Sequence, residues 1–366
     1  MARRPGPGAG VPEMRVTLGV DTHADVHVGV ALDQLGRRLG CCAVPTTPGG
    51  YAHLVAWARR FGTLERVGIE GAGGYGAGLT RWLRARGLAV LAVLAVERPT
   101  RQARRRGKSD PLDAEAAARA VQAGTVIGAP KAGDGPVEML RTLHPVRRSA
   151  MRARTQAANQ LHALVVTAPD ALRARLRPLS LAARVAAAAG FRPGPRLGTP
   201  TAAAKLALKS VARRYRQLSA EIEALDAQLA GPAARAAPAL LAVKGVGTDT
   251  AAALLAAAGD NPERLRSEAA FAHLCGVAPI PASSGKTTRH RLNRGGNRDA
   301  NRALHLLAVR RLAWDPSSRA YAARRTAQGK TKPEILRSLK RYLARELYPL
   351  LAGPSTAPAQ APPAAA

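Results

Sequence analysis

The chain has 366 residues and a formal net charge of +32, from 56 Lys and Arg residues against 24 Asp and Glu. Hydrophobic residues make up 46% of the chain but aromatic residues only 3%, so its cores must be built from Ala, Leu and Val. This length suggests two or three domains. So large a positive surplus repels itself and suits a polyanion, which favours nucleic acid as the partner over a ribosome- or membrane-associated role.

The three cysteines exclude a disulfide framework and a zinc site. Cys41 and Cys42 are adjacent and Cys275 is remote, which matches neither the cysteine pattern of a disulfide framework nor the ligand spacing of a zinc site. The basic N-terminal segment lacks the apolar core of a secretory signal, and the longest apolar run, 88–96, is about half of a membrane span. We therefore expect a cytoplasmic protein that is associated with the bacterial nucleoid and not with a membrane.

The N-terminal third alternates between strand-like and helix-like patterns. The patterns predict strands at 16–21, 25–32, 38–44, 67–70 and 88–97, and helices within 49–62, 74–87 and 110–124. Three leading antiparallel strands followed by alternating units are the order of an RNase H-like α/β fold, although alternation by itself indicates only a sheet covered by helices. The last of these helices has Asp110 as its predicted N-cap and Pro111 at its first position.

The rest of the chain is predicted to be mostly helical. Long helices with many Arg residues, interrupted at Pro169 and 190–200, suggest a coiled coil or a bundle and therefore oligomerisation. Pro- and Gly-rich or low-complexity termini are predicted to be disordered. The predicted domains are 15–130, 137–235 and 236–352, between disordered segments at 1–14 and 353–366.

Four acidic residues stand out in a chain that is poor in acids. Asp21 and Glu70 end the first and fourth strands, which are neighbours in an RNase H-like sheet, and Asp110 and Asp113 share a helix face. Four converging carboxylates repel one another unless a cation lies among them, and Mg²⁺ is the hard ion that carboxylates, water and phosphate hold best. Two such ions about 4 Å apart could clamp the attacking and leaving oxygens of a phosphodiester.

Each acid also has a purely structural interpretation. An acid at a strand end is often a turn residue, and acids in a first helical turn favour the helix dipole. We interpret Asp25 and Asp33 as turn residues of this kind. The glycine-rich segment 71–78 lacks the residues of a nucleotide-binding loop and is better explained as a tight turn beside Glu70.

Two C-terminal segments could handle DNA. Segment 240–259 resembles a helix-hairpin-helix element, whose glycine amides contact phosphate without reading sequence; a plain helical corner is the alternative. Ser283 and Ser284 lie in a Pro-rich loop before Gly285, where surrounding cations would favour a serine nucleophile; an ordinary turn in a phosphate-binding face is the alternative. The basic residues around this loop are Lys286, Arg289, His290, Arg291, Arg294, Arg298 and Arg302.

Five motifs together resemble the DEDD-type insertion-sequence transposases of bacteria, the bridge-RNA-guided recombinases related to a pilin-gene-inverting recombinase. They are GVDTHAD at 19–25, IEGAGGY at 69–75, RGKSDPLDAEAAA at 106–118, LLAVKGVG at 240–247 and FAHLCGVAPIPASSGKTTRHRLNRGGNRDANRAL at 271–304. The resemblance implies a RuvC-like first domain, a coiled-coil middle region and a C-terminal transposase domain, assembled as dimers or tetramers.

The resemblance also implies site residues. Asp21, Glu70, Asp110 and Asp113 would bind two Mg²⁺ ions, and Ser284 would form a covalent link to DNA, with Ser283 as the alternative. A structured guide RNA would be bound by shape and phosphate contacts. The predicted nucleic-acid contacts are Arg104, Arg105, Arg106, Lys108, Lys244, Gly245, Gly247, Lys286, Arg289, Arg291, Arg294 and Arg298, with Arg147, Arg148, Arg152 and Arg154 as further RNA candidates.

We therefore expect an enzyme of DNA strand exchange that needs no ATP, because a phosphoserine intermediate conserves the energy of the phosphodiester. Two other classes remain as alternatives. A Holliday-junction resolvase of RNase H-like fold would use water as its nucleophile and form no covalent adduct. A non-enzymatic nucleic-acid-binding protein would bind in a salt-sensitive manner and cut no strand.

Overall fold

The computed structural model describes residues 14–93, 109–126, 128–194, 198–284 and 286–351. The chain divides into two compact units between Asp134 and Gly135. Among the helices of these described ranges, none combines the length and apolar character that crossing a membrane requires. The predicted disordered termini lie outside the described residues, except Met14.

The first unit is built on a five-stranded mixed sheet. Its strands are β1 (Arg15–Thr22), β2 (Val26–Leu32), β3 (Arg38–Pro45), β4 (Thr63–Glu70) and β5 (Ala89–Val93), in the spatial order β3-β2-β1-β4-β5. β1, β2 and β3 pair antiparallel, whereas β4 is parallel to both β1 and β5. The first and fourth strands are therefore neighbours, as predicted, and the mixed α/β architecture is compatible with an RNase H-like domain.

Helices cover both faces of this sheet. They are α1 (Pro48–Arg59), α2 (Ala77–Arg84) and α3 (Asp110–Gln122). Leu54 of α1 packs in one core cluster with Leu18 and Val20 of β1, while Ala114 and Ala118 of α3 pack with β2 on the other face. Because β1 is central and covered on both sides, all of its residues after Arg15 are buried.

Three element boundaries differ from the sequence prediction. β4 begins at Thr63, four residues early, because its exposed polar residues hid the pattern. α2 begins only at Ala77, because the amides of Gly74 and Gly76 donate to the Gly71 carbonyl in a preceding turn. The predicted N-cap Asp110 is wrong: Ser109 has the extended backbone of an N-cap, and Asp110 is the first helical residue.

The second unit is almost entirely helical. Its helices are α4 (Pro136–Val166), α5 (Asp170–Leu176), α6 (Leu181–Ala189), α7 (Pro200–Ala236), α8 (Pro238–Leu241), α9 (Thr248–Ala258), α10 (Glu268–Leu274), α11 (Arg298–Trp314), α12 (Pro316–Ala327) and α13 (Lys332–Leu347), with 3₁₀ turns at Pro262–Arg264 and Tyr348–Leu350. A small antiparallel hairpin of β6 (Ile280–Pro281) and β7 (His290–Arg291) precedes α11. The long helices expected within 137–235 are thus present.

The two long helices α4 and α7 pack against each other in opposite directions. Leu161, late in α4, shares a core cluster with Leu208, early in α7. Leu140, early in α4, lies with Leu229, late in α7, in the larger cluster that also contains α9, α11 and α13. The division of this region into separate domains and its coiled-coil geometry stay predictions.

Candidate metal centre and serine hairpin

Two glycines in the sheet determine where α3 lies. Gly19 of β1 and Gly68 of β4 are register partners on adjacent strands. A Cβ atom on Gly19 would meet the Ala114 carbonyl oxygen well inside van der Waals contact, and one on Gly68 would meet Val121 at 2.6 Å. The backbone of α3 therefore rests directly on the sheet at this pair of glycines.

The same geometry brings acids from three elements to one edge. Successive strand residues alternate between faces, so Asp21 and Glu70, each two residues after a glycine of the pair, face the side covered by α3. Val20 and Ile69 are register partners, which sets the two acids level at the strand ends. α3 begins at Asp110, so its N-terminal turn lies beside these ends.

Asp21, His23 and Asp110 form the tightest group at this edge. The His23 Nε2 atom lies 3.1 Å from Asp21 Oδ2 and 3.4 Å from Asp110 Oδ1. One potential ligand atom from each residue lies within 4.8 Å of the other two. The Asp21 side chain is only 11% exposed, whereas those of His23 and Asp110 are about half exposed, so the site opens to solvent on the helix side.

Glu70 and Asp113 adjoin this group without belonging to it. The Thr22 hydroxyl donates to the Glu70 backbone carbonyl at 2.8 Å, which joins the ends of β1 and β4. Asp113 follows Asp110 by one helical turn and so lies on the same side of α3. The described coordinates thus bring Asp21 and Asp110 into ligand distance of a common point, and the full set of four acids as a metal site stays a prediction.

The donor set of this group fits a divalent cation. Two carboxylates on different elements repel each other at this separation, and a cation between them removes that cost. Carboxylate oxygens suit Mg²⁺ or Mn²⁺, and an imidazole nitrogen is accepted more readily by Mn²⁺ and other transition metals than by Mg²⁺. Sequence reasoning missed His23, although a histidine two residues after a strand-ending aspartate was a usable signal.

The two acids interpreted as turn residues are separate from this edge. Asp33 accepts hydrogen bonds from the Leu35 amide at 2.9 Å and from the Arg37 amide at 2.8 Å, as a turn-forming aspartate does. Asp25 lies in the bend between β1 and β2. Residues 71–76 of the glycine-rich segment form the turn from β4 into α2, with Gly71 at a φ of 69°.

The candidate nucleophile lies at the tip of the β6–β7 hairpin. Ser284 and Thr287 form an isolated antiparallel bridge, with backbone hydrogen bonds of 3.2 and 3.1 Å. The Ser283 hydroxyl accepts a hydrogen bond from the Arg289 amide at 3.2 Å and is thereby tied across the hairpin. Both serines are exposed, and within the described residues the Ser284 hydroxyl has no hydrogen-bond partner.

Most of the predicted nucleic-acid contacts in the second unit are exposed. Lys286, Arg289, Arg291, Arg294 and Arg298 all lie on the surface around the hairpin and the start of α11.

The segment between α8 and α9 carries three further predicted nucleic-acid contacts, Lys244, Gly245 and Gly247. Lys244 lies over the ring of Trp314, with Nζ 4.4 Å from the ring centroid, and Gly245 has a φ of 91°. Gly247 is the N-cap residue of α9. Arg104, Arg105, Arg106 and Lys108 lie outside the described residues.

Arg147 has a structural role in place of the predicted RNA contact. Its guanidinium pairs with Asp226 of α7 and, at 3.0 Å, with Asp249 of α9. The side chain is 15% exposed, so these two acids already take up its charge. Arg148 likewise pairs with Asp299, whereas Arg152 remains exposed.

Two models of transposase families match parts of the chain. A model described as a transposase of the DEDD type of IS110 matches residues 18–168, and a model of the transposase IS116/IS110/IS902 family matches residues 237–323. The first match contains all four acids, and the second contains the serine hairpin.

Two curated insertion-element proteins are similar over part of their length. The IS110 uncharacterized 43.6 kDa protein of Streptomyces coelicolor is 37% identical over 145 residues, which are 39% of this chain and 34% of the relative. The IS900 uncharacterized 42 kDa protein of Mycobacterium paratuberculosis is 31% identical over 157 residues, 40% of this chain and 38% of the relative. The matched regions thus span little more than a third of these relatives. The two matched regions are thus similar to transposases of the IS110 family.

Proposed function

We propose that the protein is a DNA transposase that cleaves and exchanges strands with the help of divalent metal ions and a serine nucleophile. The observation that carries this proposal is the convergence of Asp21 and Asp110, from a buried strand and a helix N-terminus, at one open edge of the sheet. Without a cation the two carboxylates repel each other, whereas with one they act as metal ligands. A transposase family with a DEDD domain uses divalent metal, which supports the same interpretation.

Asp21, Glu70, Asp110 and Asp113 are the residues that we propose hold the metal, as two Mg²⁺ ions. Metal bound there would polarise a scissile phosphate and neutralise the charge that develops on it. Asp21 is fixed by its buried strand, and Asp110 by the helix that rests on Gly19 and Gly68. The chain therefore supplies a rigid set of oxygen ligands, which would hold the metal and the scissile phosphate in one fixed geometry.

We propose that Ser284 attacks the scissile phosphorus. A bond forms between Ser284 Oγ and phosphorus while the bond from phosphorus to one sugar oxygen breaks; the serine loses its proton and the sugar oxygen gains one as a free hydroxyl. A hydroxyl of the partner DNA then attacks the phosphoserine, which rejoins the strand and restores Ser284. The exposed cations Lys286 and Arg289 stabilise the charged phosphoryl group in both steps.

The partners in this proposal are DNA, a structured guide RNA and further copies of the chain. The net charge of +32 supports binding of a polyanion, and the long antiparallel helices α4 and α7 offer a surface for assembly as a dimer or tetramer. In this arrangement, Ser284 of one subunit serves the metal centre of another. Guide RNA selects the DNA sequence by base pairing, while the protein contacts the RNA backbone.

A metal-binding experiment tests whether the convergence of Asp21 and Asp110 creates a metal site. Isothermal titration of the full chain with Mn²⁺ should show binding that Asp21→Asn and Asp110→Asn each weaken at least about tenfold, and both variants should lose recombination of a plasmid that carries the element ends. Asp25→Asn, at the bend beside β1, is the matched control and should bind metal normally. Unchanged Mn²⁺ binding by Asp21→Asn would contradict the proposal.

A further inference from the structure

The second unit contains a large cationic cavity that the catalytic proposal does not use. Its volume is about 1020 Å³, and it lies between β7, the start of α11 and the segment from the end of α12 through α13. We call it the basic cavity. It begins at His290 and Arg291 of β7, so it adjoins the base of the serine hairpin.

Positive charge in the basic cavity is largely uncompensated. Arg291, Arg294, Lys332 and Arg337 line it, and within the described ranges none of them forms an ion pair. The one acidic residue in the lining, Glu334, accepts hydrogen bonds from the amide and hydroxyl of Thr331 in a capping box. Four unpaired cations around one concave surface repel one another, and an anionic ligand removes that repulsion.

The base of the cavity is held in place by partly buried polar contacts. The Asn301 side-chain amide donates to the carbonyls of Cys275 and Gly276 at 2.9 and 3.1 Å. Its oxygen accepts a hydrogen bond from Lys340 Nζ at 3.0 Å. Burial and the charge of neighbouring Arg337 lower the pKa of Lys340, as expected for a half-buried ammonium among other cations.

Apolar and aromatic groups complete the lining. Tyr342 and Leu292 both line the cavity and are about half exposed, at 52% and 56%. The Tyr342 ring packs edge-on against Tyr321, with ring centroids 5.6 Å apart, so one ring face is held in a fixed orientation. A phosphate group forms no favourable contact with these apolar and aromatic side chains, whereas a nucleobase could stack on them.

We propose that the basic cavity binds an unpaired strand of nucleic acid, with phosphates on Arg291, Arg294, Lys332 and Arg337 and a base stacked on Tyr342. A cationic groove with aromatic stacking surfaces is the general solution for single-strand binding. A volume of this size accommodates a ligand of nucleotide size or larger. The inference rests on the proposed function only in taking nucleic acid as the substrate, and it places an unpaired segment next to the hairpin that carries Ser284.

Fluorescence anisotropy on the full chain tests this inference. The probes are a labelled 15-nucleotide oligothymidylate, the matching oligouridylate and a DNA duplex of the same length, all with EDTA so that no cleavage occurs. The double variant Lys332→Gln/Arg337→Gln should bind the single strands about 25-fold more weakly at 0.1 M salt, and its salt slope should fall by about 1.4, as expected for the loss of two phosphate contacts. Preference for one single-stranded probe identifies the sugar.

Stacking is tested separately. Tyr342→Leu should weaken single-strand binding at least about fivefold without changing the salt slope, and should leave duplex binding unchanged. The control is Arg213→Gln/Arg216→Gln, two exposed cations of α7 outside the cavity, which removes the same charge and should keep single-strand affinity within about twofold. Circular dichroism of each variant verifies folding.

The outcomes separate this inference from the proposed function. If the control weakens single-strand binding as much as Lys332→Gln/Arg337→Gln does, or if Tyr342→Leu has no effect, the cavity is not a strand-binding site. A parent protein that forms a serine adduct while its cavity variants bind normally contradicts the inference alone. A parent that binds single strands through the cavity but never cleaves DNA contradicts the proposed function alone.

Discussion

Two adjacent serines of the hairpin have very different surroundings. The Ser283 hydroxyl is held by the Arg289 amide, whereas the exposed Ser284 hydroxyl has no partner among the residues described. We therefore expect Ser284→Ala to abolish a covalent protein–DNA adduct, detected as a slow-migrating band after denaturing electrophoresis with labelled DNA. Ser283→Ala should keep the adduct at a reduced yield. An adduct that persists in Ser284→Ala, or that no serine substitution removes, would rule out this assignment.

The cysteines should differ in reactivity. Cys275 is fully buried, and desolvation raises the pKa of its thiol to about 12, whereas Cys41 is exposed. Because the thiolate is the reactive form, iodoacetamide at pH 8 should alkylate Cys41 in the folded protein and leave Cys275 unmodified until denaturant is added. Peptide mass spectrometry locates the labels. Modification of Cys275 at the rate of Cys41 under native conditions would show that the core around α10 is open.

Asp249 should make the second unit sensitive to acid. A hydrogen bond from His144 and the charges of His144 and Arg147 hold the pKa of Asp249 below its ordinary value of 3.8. A carboxyl whose pKa is depressed on folding adds stability that is fully present above the unfolded pKa and is lost as pH falls through the folded one. Asp249→Asn should therefore cost about 1–2 kcal/mol at neutral pH, measured by urea unfolding.

The parent and Asp249→Asn should converge in stability as the pH falls from about 3.8 through the lower pKa of the folded carboxyl, because below that pKa both have a neutral side chain at this position. Asp170→Asn is the matched control. Asp170 pairs with Arg173 on a surface where its side chain is 90% exposed, so its loss should cost less than about 0.5 kcal/mol. Equal losses in the two variants would mean that the contacts of Asp249 add nothing.

Contact between α3 and the sheet depends on two positions without side chains. Gly19→Ala inserts a methyl group against the Ala114 carbonyl, which α3 can avoid only by moving. We expect a loss of about 3 kcal/mol in urea unfolding and weaker Mn²⁺ binding, because Asp110 moves with the helix. Gly73→Ala is the control, since a Cβ at Gly73 meets nothing within 4 Å. Normal stability of Gly19→Ala would show that α3 is free to shift.

The sequence was most informative where patterns were local. Local strand patterns predicted β1, β2 and β3, although β1 and β2 are buried almost throughout. The element order predicted that β1 and β4 are neighbours. The start of β4 was missed because Glu65 and Arg66 interrupt its apolar pattern on the exposed side. The role of Gly19 and Gly68 was also missed, because a glycine that admits a helix backbone leaves no periodic signal.

Features that combine residues distant in sequence were less predictable, because no local pattern marks them. The basic cavity combines residues near 276–294 with others near 325–342, and neither stretch alone differs from an ordinary basic surface. Arg147 illustrates the converse error, since an arginine paired with acids from two other helices looks like a free cation in sequence. His23 was within reach of sequence reasoning, because it follows Asp21 by two residues.

For the full chain, charge should dominate affinity for nucleic acid. With a net charge of +32, binding of a non-specific DNA duplex should release many counterions. For 6 to 10 phosphate contacts, affinity should fall about 10³-fold or more between 50 and 200 mM salt. Anisotropy titrations in EDTA at a series of salt concentrations measure the slope. A loss of less than about tenfold would mean that most of the positive charge faces away from DNA.

The glycine pair beneath α3 also limits how such a protein can be re-engineered. Where the α3 backbone contacts the strand backbone, a change of side-chain rotamer cannot compensate for a change in the distance between helix and sheet. The distances among the acids are therefore fixed by the rigid peptide backbone. A chimera that imports the helix from a relative must therefore import both strands on which it rests. Exchanging the helix alone should give a folded protein with a misaligned metal centre.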